Sequence, residues 1–367
     1  MKKVLFTATV DSHILQFHIP YLKWFKEQGY EVHVATNGDK EIPYCNKKHI
    51  ISFEKSPIKI NNLKAIKDLK KIINKENFKI IHCHTPMGSV VTRIAAKKAR
   101  KNGTRVIYTA HGFHFFKGAH ILNWLIFYPV EKFLSQYTDC LITINKEDYN
   151  LAKKKFKAEQ VKFVPGVGIE VEKFQLNMNG EAIQKTRKKL GINNDEFVII
   201  YVAELSKRKN QGMLIKAAKE VIDNGYRIKI LLPGIDSMDG YYQKMCQKLK
   251  IEENIKFLGY SFDIPQLLKI SNLYVSTSKQ EGLPVNIMEA MASGLPIIAT
   301  NCRGNRDLIK NGENGLIINY DINELKDKII KIHQNKQQFK QGDLEEYTIR
   351  KVKKEMEKIY TKIINMQ

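Results

Sequence analysis

Residues 278–296 read Ser-Lys-Gln-Glu-Gly-Leu-Pro-Val-Asn-Ile-Met-Glu-Ala-Met-Ala-Ser-Gly-Leu-Pro. The preceding run, Leu273–Ser276, has the character of a short buried strand, and it leads into a tight loop carrying Glu281 and Gly282. A helix is predicted to open at Pro284, where a ring without an N–H belongs. It closes before Gly294, and Pro296 blocks continuation. Unpaired N–H groups and the positive end of the helix dipole then point out of the loop, which makes an anion site. Two carboxylates flank that mouth. Glu281 lies in the loop, and Glu289 lies roughly 7.5 Å further along the axis than Pro284, at 1.5 Å per residue. A nucleotide-sugar offers sugar hydroxyls, diphosphate and ribose hydroxyls in the same order; a capped helix with two solvated glutamates is the plainer reading.

Working outward, short apolar runs alternate with helical patterns along the whole chain. In the second half the strand-like segments are Phe197–Val202, Ile228–Leu232, Ile255–Phe257, Leu273–Ser276, Ile297–Ala299 and Leu316–Ile318. The first half repeats the plan with Val4–Val10, Glu31–Thr36, Ile80–His84, Arg105–Ala110, Leu141–Ile144 and Val161–Val164. Helical patterns fall near Pro20–Gln28, Leu63–Asn74, Ser89–Lys101 and Lys146–Lys155. Such alternation indicates an α/β protein with two doubly wound parallel sheets, each binding ligands at the carboxyl ends of its strands. Pro165–Gly168 and Gln175–Ala182 are the best linker candidates. The expected division is residues 1–168 and 169–344.

At 367 residues, two domains are the default, and 43% hydrophobic with 10% aromatic content suffices for packed cores. The five cysteines are widely spaced without a paired pattern, which fits reduced thiols in a cytoplasmic protein and argues against a structural zinc site. Lys2 and Lys3 precede Val4–Val10, but Asp11 ends that run, so it reads as a strand and not a signal peptide. The longest apolar candidate, Ile121–Val130, is too short to span a bilayer. Net charge is +23, and residues 1–180 hold 30 Lys/Arg against 15 Asp/Glu. That field favours an anionic partner. No RNA-binding, zinc-finger or helix-turn-helix pattern points to nucleic acid, which leaves an anionic leaflet or a lipid diphosphate.

Glu-x7-Glu enclosing Gly-Leu-Pro, followed by Glu-Ala-Met-Ala-Ser-Gly-Leu-Pro, resembles the family 4 retaining glycosyltransferases of GT-B fold, and the resemblance extends over nearly the whole chain. It implies two Rossmann-like domains facing across a cleft, with a C-terminal helix (about 345–367) returning to brace the first. By position it assigns donor-sugar hydroxyls to Glu281 and the nucleotide ribose to Glu289. The backbone from Gly282 through Leu283, Pro284 and Val285 would face the diphosphate or the sugar. The family also carries an arginine and, five residues on, a lysine that neutralise the leaving diphosphate. The lysine position is Lys209, but Glu204 occupies the arginine position, so either Lys207 or Arg208 substitutes, or Lys209 acts with the helix start alone. His111, in Ala110-His-Gly-Phe-His-Phe-Phe116, would hold the donor sugar, and Tyr260 is a candidate beside the base. Neither metal nor cofactor is expected, because lysine and helix amides neutralise the diphosphate.

Acceptor-side candidates are Asp11 and His13 in the first loop, Thr9–His13, and His84 in His82-Cys-His84. That pair of histidines suggests a metal superficially, yet no third ligand sits nearby in sequence. Phe113–Tyr137 joins many aromatics to Lys117 and Lys132, with Pro129 expected to kink or divide a helix. It reads equally as a buried helix or as an interfacial one. Phe17-His-Ile-Pro-Tyr-Leu and Arg303-Gly-Asn-Arg-Asp307 add a resemblance to bacterial exopolysaccharide and capsule glycosyltransferases. That resemblance implies a UDP-sugar donor, a lipid-diphosphate-linked saccharide acceptor and a peripheral place on the inner membrane surface. A sugar-nucleotide 2-epimerase of the same fold and a non-catalytic binding subunit are the alternatives.

Overall fold

Parallel strands covered on both faces are continuous apolar runs, and among the described residues thirteen strands form two separate sheets. The computed structural model describes residues 1–261, 263–335, 339–340 and 342–366. The chain divides into two units, residues 1–167 with 350–367 and residues 168–349.

In the first unit the strands are β1 (Lys3–Val10), β2 (Glu31–Asn37), β3 (Lys47–Ile50), β4 (Ile80–His84), β5 (Arg105–Ala110), β6 (Cys140–Thr143) and β7 (Gln160–Phe163). They pair in parallel in the order β3-β2-β1-β4-β5-β6-β7. The strand order reverses between β1 and β4, so that point is where a doubly wound sheet opens a ligand crevice. Seven helices connect the strands: α1 (Asp11–Phe17), α2 (Ile19–Glu27), α3 (Asn61–Glu76), α4 (Pro86–Ala95), α5 (Lys97–Lys101), α6 (Ile121–Ser135) and α7 (Lys146–Lys155). The expected first loop is absent: β1 runs into α1 at Asp11, which places Asp11 and His13 in a helical turn. Helix α6 also passes through Pro129 unbroken.

The second unit holds β8 (Phe197–Ile200), β9 (Ile228–Pro233), β10 (Ile255–Gly259), β11 (Leu273–Ser276), β12 (Ile297–Thr300) and β13 (Leu316–Ile318). Their order is β10-β9-β8-β11-β12-β13, all parallel, with the reversal between β8 and β11. Its helices are α8 (Gly180–Lys189), α9 (Gln211–Asp223), α10 (Tyr241–Leu249), α11 (Ile264–Lys269), α12 (Val285–Ala292), α13 (Asn305–Leu308) and α14 (Ile322–His333).

The last helix, α15 (Ile349–Asn365), buries Val352, Met356, Tyr360 and Ile363 in the core of the first unit. These positions recur at helical spacing, so one face of a highly charged helix is apolar. Gln367, at the end of the expected brace, lies outside the described residues. Tyr360 stacks on Trp24 with ring centroids 5.5 Å apart, and its hydroxyl lies 2.9 Å from His82 Nδ1. His82 Nε2 lies 2.8 Å from Thr109 Oγ1, so both ring nitrogens are satisfied. Tyr360→Phe should therefore leave a buried imidazole nitrogen without a partner and lower stability by about 1–3 kcal/mol. Urea unfolding reads this directly, and an unchanged midpoint would show that the hydroxyl contributes nothing.

Candidate active site

The switch point of the second sheet is built by the segments that follow β8 and β11. After β11, the chain from Thr277 to Pro284 turns tightly into α12, with Pro284 as its extended N-cap and no side-chain cap. The helix thus starts one residue later than expected, at Val285. Pro284 brings no N–H, so the free donors of this mouth belong to its neighbours. Leu283 and Pro284 are buried, whereas Gly282 and Val285 are half-buried.

Glu281 lies in the wall of this mouth, only 7% exposed. A carboxylate so buried needs compensation, and the structure supplies it from both strands. Lys209 Nζ donates to Glu281 Oε1 at 2.5 Å, as does Ser278 Oγ at 2.5 Å. Arg208 Nη1 lies 3.7 Å from Oε2 and donates to the Gln280 carbonyl at 3.1 Å. Tyr201 holds the lysine segment against the loop: its hydroxyl donates to the Lys209 carbonyl at 3.0 Å and lies 2.7 Å from Ser278 Oγ. From the far side, buried Arg303 Nε donates to the Glu281 carbonyl at 3.0 Å. Gly304, at φ +82°, brings its backbone so close to the loop that an added Cβ would lie 2.4 Å from the Gly282 carbonyl oxygen. Ser278, Tyr201, Arg303 and Gly304 were not singled out as site residues from sequence, although Arg303-Gly carried part of the resemblance.

Of the two candidates to replace the missing arginine, Arg208 reaches the Glu281 loop. Lys207 is exposed and forms no ion pair among the described residues. Glu204 turns away from Lys209: its Oε1 accepts from Ser237 Oγ at 2.6 Å. Tyr260, after β10, is largely exposed.

Glu289 sits just over one turn into α12, half-buried, with no side-chain hydrogen-bond partner among the described residues. Burial pushes its carboxyl from an ordinary 4.5 up to about 7.

The first unit gathers histidines at its own switch point. His111 follows β5, and burial pulls its ring down to about 4, so it is neutral at pH 7. Its Nε2 lies 3.2 Å from His13 Nε2. His18 and His84 stack with centroids 3.7 Å apart. The sequence reading missed this assembly, because the four residues come from α1, the α1–α2 junction, the end of β4 and the end of β5. Two acceptor-side candidates are buried. His84 is fully buried, and Asp11 is 4% exposed with its carboxylate accepting from Thr36 Oγ1 (2.5 Å), the Lys40 amide (2.9 Å) and Lys48 Nζ (3.0 Å). The Asp11 carboxylate is already matched and His84 has no exposed surface, whereas half-buried His13 does line a cavity of about 580 Å³. Phe17, Phe113, Phe115, Phe127 and Val130 make that cavity mostly apolar.

Two Rossmann-like sheets, one with an acidic side chain held at an uncapped helix mouth on its switch point, match the architecture of the GT-B glycosyltransferases. Residues 3–145 match the glycosyl transferase 4-like model and residues 182–354 the model of glycosyl transferases group 1. The chain is 45% identical over 318 residues to the "Putative glycosyltransferase EpsD" of Bacillus subtilis (strain 168), covering 86% of this chain and 83% of that one. It is 29% identical over 292 residues, 76% and 74% of the two chains, to the Escherichia coli UDP-Gal:alpha-D-GlcNAc-diphosphoundecaprenol alpha-1,3-galactosyltransferase. Among solved structures, Anabaena HepE in complex with UDP and glucose superposes with a TM-score of 0.78 at 20% identity, covering 99% and 100% of the chains. The chain belongs to the family 4 glycosyltransferases of GT-B fold.

The Glu289 shift gives a pH test. Its folded pKa lies above its unfolded value, so the native state binds the proton more tightly. Its contribution is complete below about pH 4.5, falls as the pH rises to about 7, and is then constant. Glu289→Gln should gain about 1–3 kcal/mol over the parent at pH 8 and little at pH 5. Equal differences at both pH values in urea unfolding would contradict a buried, unpaired carboxylate.

Proposed function

We propose that this enzyme transfers a glycosyl unit from a UDP-sugar to a lipid-diphosphate-linked saccharide, with retention at the anomeric carbon, in bacterial surface polysaccharide assembly. The observation that carries the proposal is the buried Glu281 carboxylate fixed by Lys209 and Ser278 beside the uncapped start of α12. The UDP complexes of HepE and the lipid-diphosphate substrate named for the Escherichia coli relative support the choice of donor and acceptor.

The bond from the anomeric carbon to the diphosphate oxygen breaks, and its electron pair stays on that oxygen. Lys209, Arg208 and the helix amides stabilise the developing charge, an electrostatic contribution that outweighs others in such sites. The acceptor hydroxyl oxygen bonds to the anomeric carbon from the same face, and its proton passes to the departing phosphate oxygen. Neither a second carboxylate nor a metal takes part in this step. Glu281 orients the sugar hydroxyls, and Glu289, once ionised, accepts from the ribose. Neutral His111 can donate one N–H to the donor sugar. The apolar cavity of the first unit suits the first isoprene units of the acceptor lipid.

Glu281→Ala should lower transfer by about 10²–10³-fold, the range for losing one preorganised polar contact in such a site. A panel of nucleotide-sugars read by thermal shift, followed by transfer to a lipid-diphosphate disaccharide, tests both halves. Near-normal transfer by the variant refutes the role of Glu281. A donor isomer formed without acceptor would instead reveal an epimerase.

The same reading places the enzyme on an anionic membrane. Helix α6 shows two faces. Trp124 and Tyr128 pack on Phe115, with centroids 5.5 and 5.4 Å away, and Arg93 Nη2 donates to buried Glu131 Oε2 at 2.8 Å. Outward, Ile121, Leu122, Leu125, Ile126, Val130 and Phe133 are between 41% and 65% exposed. No helix among the described residues is long and apolar enough to cross a membrane, so insertion is interfacial. Leu122→Asp with Leu125→Asp should weaken sedimentation with phosphatidylglycerol vesicles at least tenfold, since each buried leucine contributes about 1.5–3 kcal/mol. Transfer to a water-soluble acceptor should be unchanged; undiminished vesicle binding would remove α6 from the docking face.

A further inference from the structure

The histidines of the first unit carry a second possibility, one independent of the glycosyl-transfer reading. The ligand-capable nitrogens of His13, His18, His84 and His111 all lie within 4.8 Å of one another. His18 is 3% exposed and His84 fully buried, yet neither ring nitrogen of either residue has a hydrogen-bond partner. Four orphaned polar atoms in one nest are costly, because each buried group without a partner forfeits roughly 1–3 kcal/mol of desolvation. Neighbouring His82, in the same sheet, escapes this through Tyr360 and Thr109. Nothing of that kind faces His18 and His84.

We propose that His13, His18, His84 and His111 bind one divalent transition-metal ion of the zinc class. Imidazole nitrogens suit zinc, copper, nickel and iron. A tetrahedron with bonds of 2.0–2.1 Å has edges of roughly 3.3 Å, and the His13–His111 pair already stands at 3.2 Å. A neutral imidazole donates its lone pair to such an ion. Four neutral ligands leave the charge of the ion uncompensated. His13 and His111 are only half-buried, so an anionic group can approach the ion from the cavity that His13 lines.

A second group with metal-ligand spacing, His33, His49 and Glu76, differs in kind. His33 Nε2 lies 2.7 Å from Glu31 Oε1 and its Nδ1 3.0 Å from His49 Nε2, and Glu76 takes Lys3 and Lys47 at 2.6 Å each. Its polar atoms are already matched, and an ion there would have to displace two lysines.

The experiment uses the full chain, treated with chelator, dialysed, and titrated with Zn²⁺ and with Co²⁺. The expected results are about one equivalent of zinc per chain and a visible ligand-field band of tetrahedral cobalt. Thermal stability should rise by roughly 5–10 °C at a hundredfold excess over Kd. His18→Phe with His84→Phe keeps the stacked volume and should abolish uptake and band, whereas His49→Ala should keep both. If the double variant does not fold, His13→Ala, on the half-buried side, reads the same loss. Well under one equivalent of zinc, no cobalt band, or full binding by the histidine variants would overturn the site.

Discussion

The pairing of Glu281 with Lys209 is the constraint around which the second unit is organised. A carboxylate this buried persists as an anion only with a cation and hydrogen-bond donors at contact distance. The cation comes from the segment after β8 and the donor from the loop after β11, the two strands that flank the switch point. The pairing therefore sets the spacing between those segments, and Tyr201 and Arg303 lock it from either side. It also changes the charge balance at the helix mouth. Lys209 and Arg208 both face Glu281, so two cations against one carboxylate leave a net positive charge beside the amides of α12. Glu204, matched by Ser237, does not oppose them. A glutamate at the usual arginine position is thus compatible with an anion site, because its charge is directed elsewhere.

Much of this was legible in the sequence, and the reason is local. Leu273–Ser276 and Leu316–Ile318 were delimited to the residue, since buried parallel strands are unbroken apolar runs with turn residues at their ends. Edge strand β3, Lys47–Ile50, escaped notice because Lys-Lys-His-Ile has no such run. Helix α1 escaped because Asp-Ser-His looks like turn chemistry. The site divides along the same line. Glu281, Gly282 and Glu289 lie within one contiguous stretch, so strand, loop and helix signals place them together. The histidine nest is spread from residue 13 to residue 111, and only the adjacency of β1, β4 and β5 in the sheet brings it together. Separate histidines carry no sign of that adjacency.

Asp11 shows a different limit. Its position at the end of the first strand suggested a ligand contact, and its burial with Lys48 and Thr36 shows an anchor. Residue type and strand-end position are shared by both roles. What separates them is whether the polar atoms are already matched, a property of partners as distant as Lys48. By the same criterion buried His84, whose ring nitrogens have no partner, is not an anchor of that kind.

Helix α6 resolves an ambiguity that periodicity alone left open. Its sequence is apolar on almost every side, so it read equally as core and as interface, and the structure packs one face while leaving the other exposed. Two aromatic residues and the Arg93–Glu131 pair fix one face, with Arg93 only 1% exposed. Because that pair is desolvated, α6 is not free to turn its outer residues inward, and they stay facing solvent. Six such side chains, at about 1.5–3 kcal/mol each if fully buried, give an upper bound of the same order as the 4–15 kcal/mol lost on immobilising a protein. Partial insertion delivers only a fraction of that bound. The difference falls to the basic residues, at about 1 kcal/mol for each lysine or arginine near an anionic surface. On the proposed membrane docking, apolar face and positive charge would both be required, and an attachment that depends on both would be reversible.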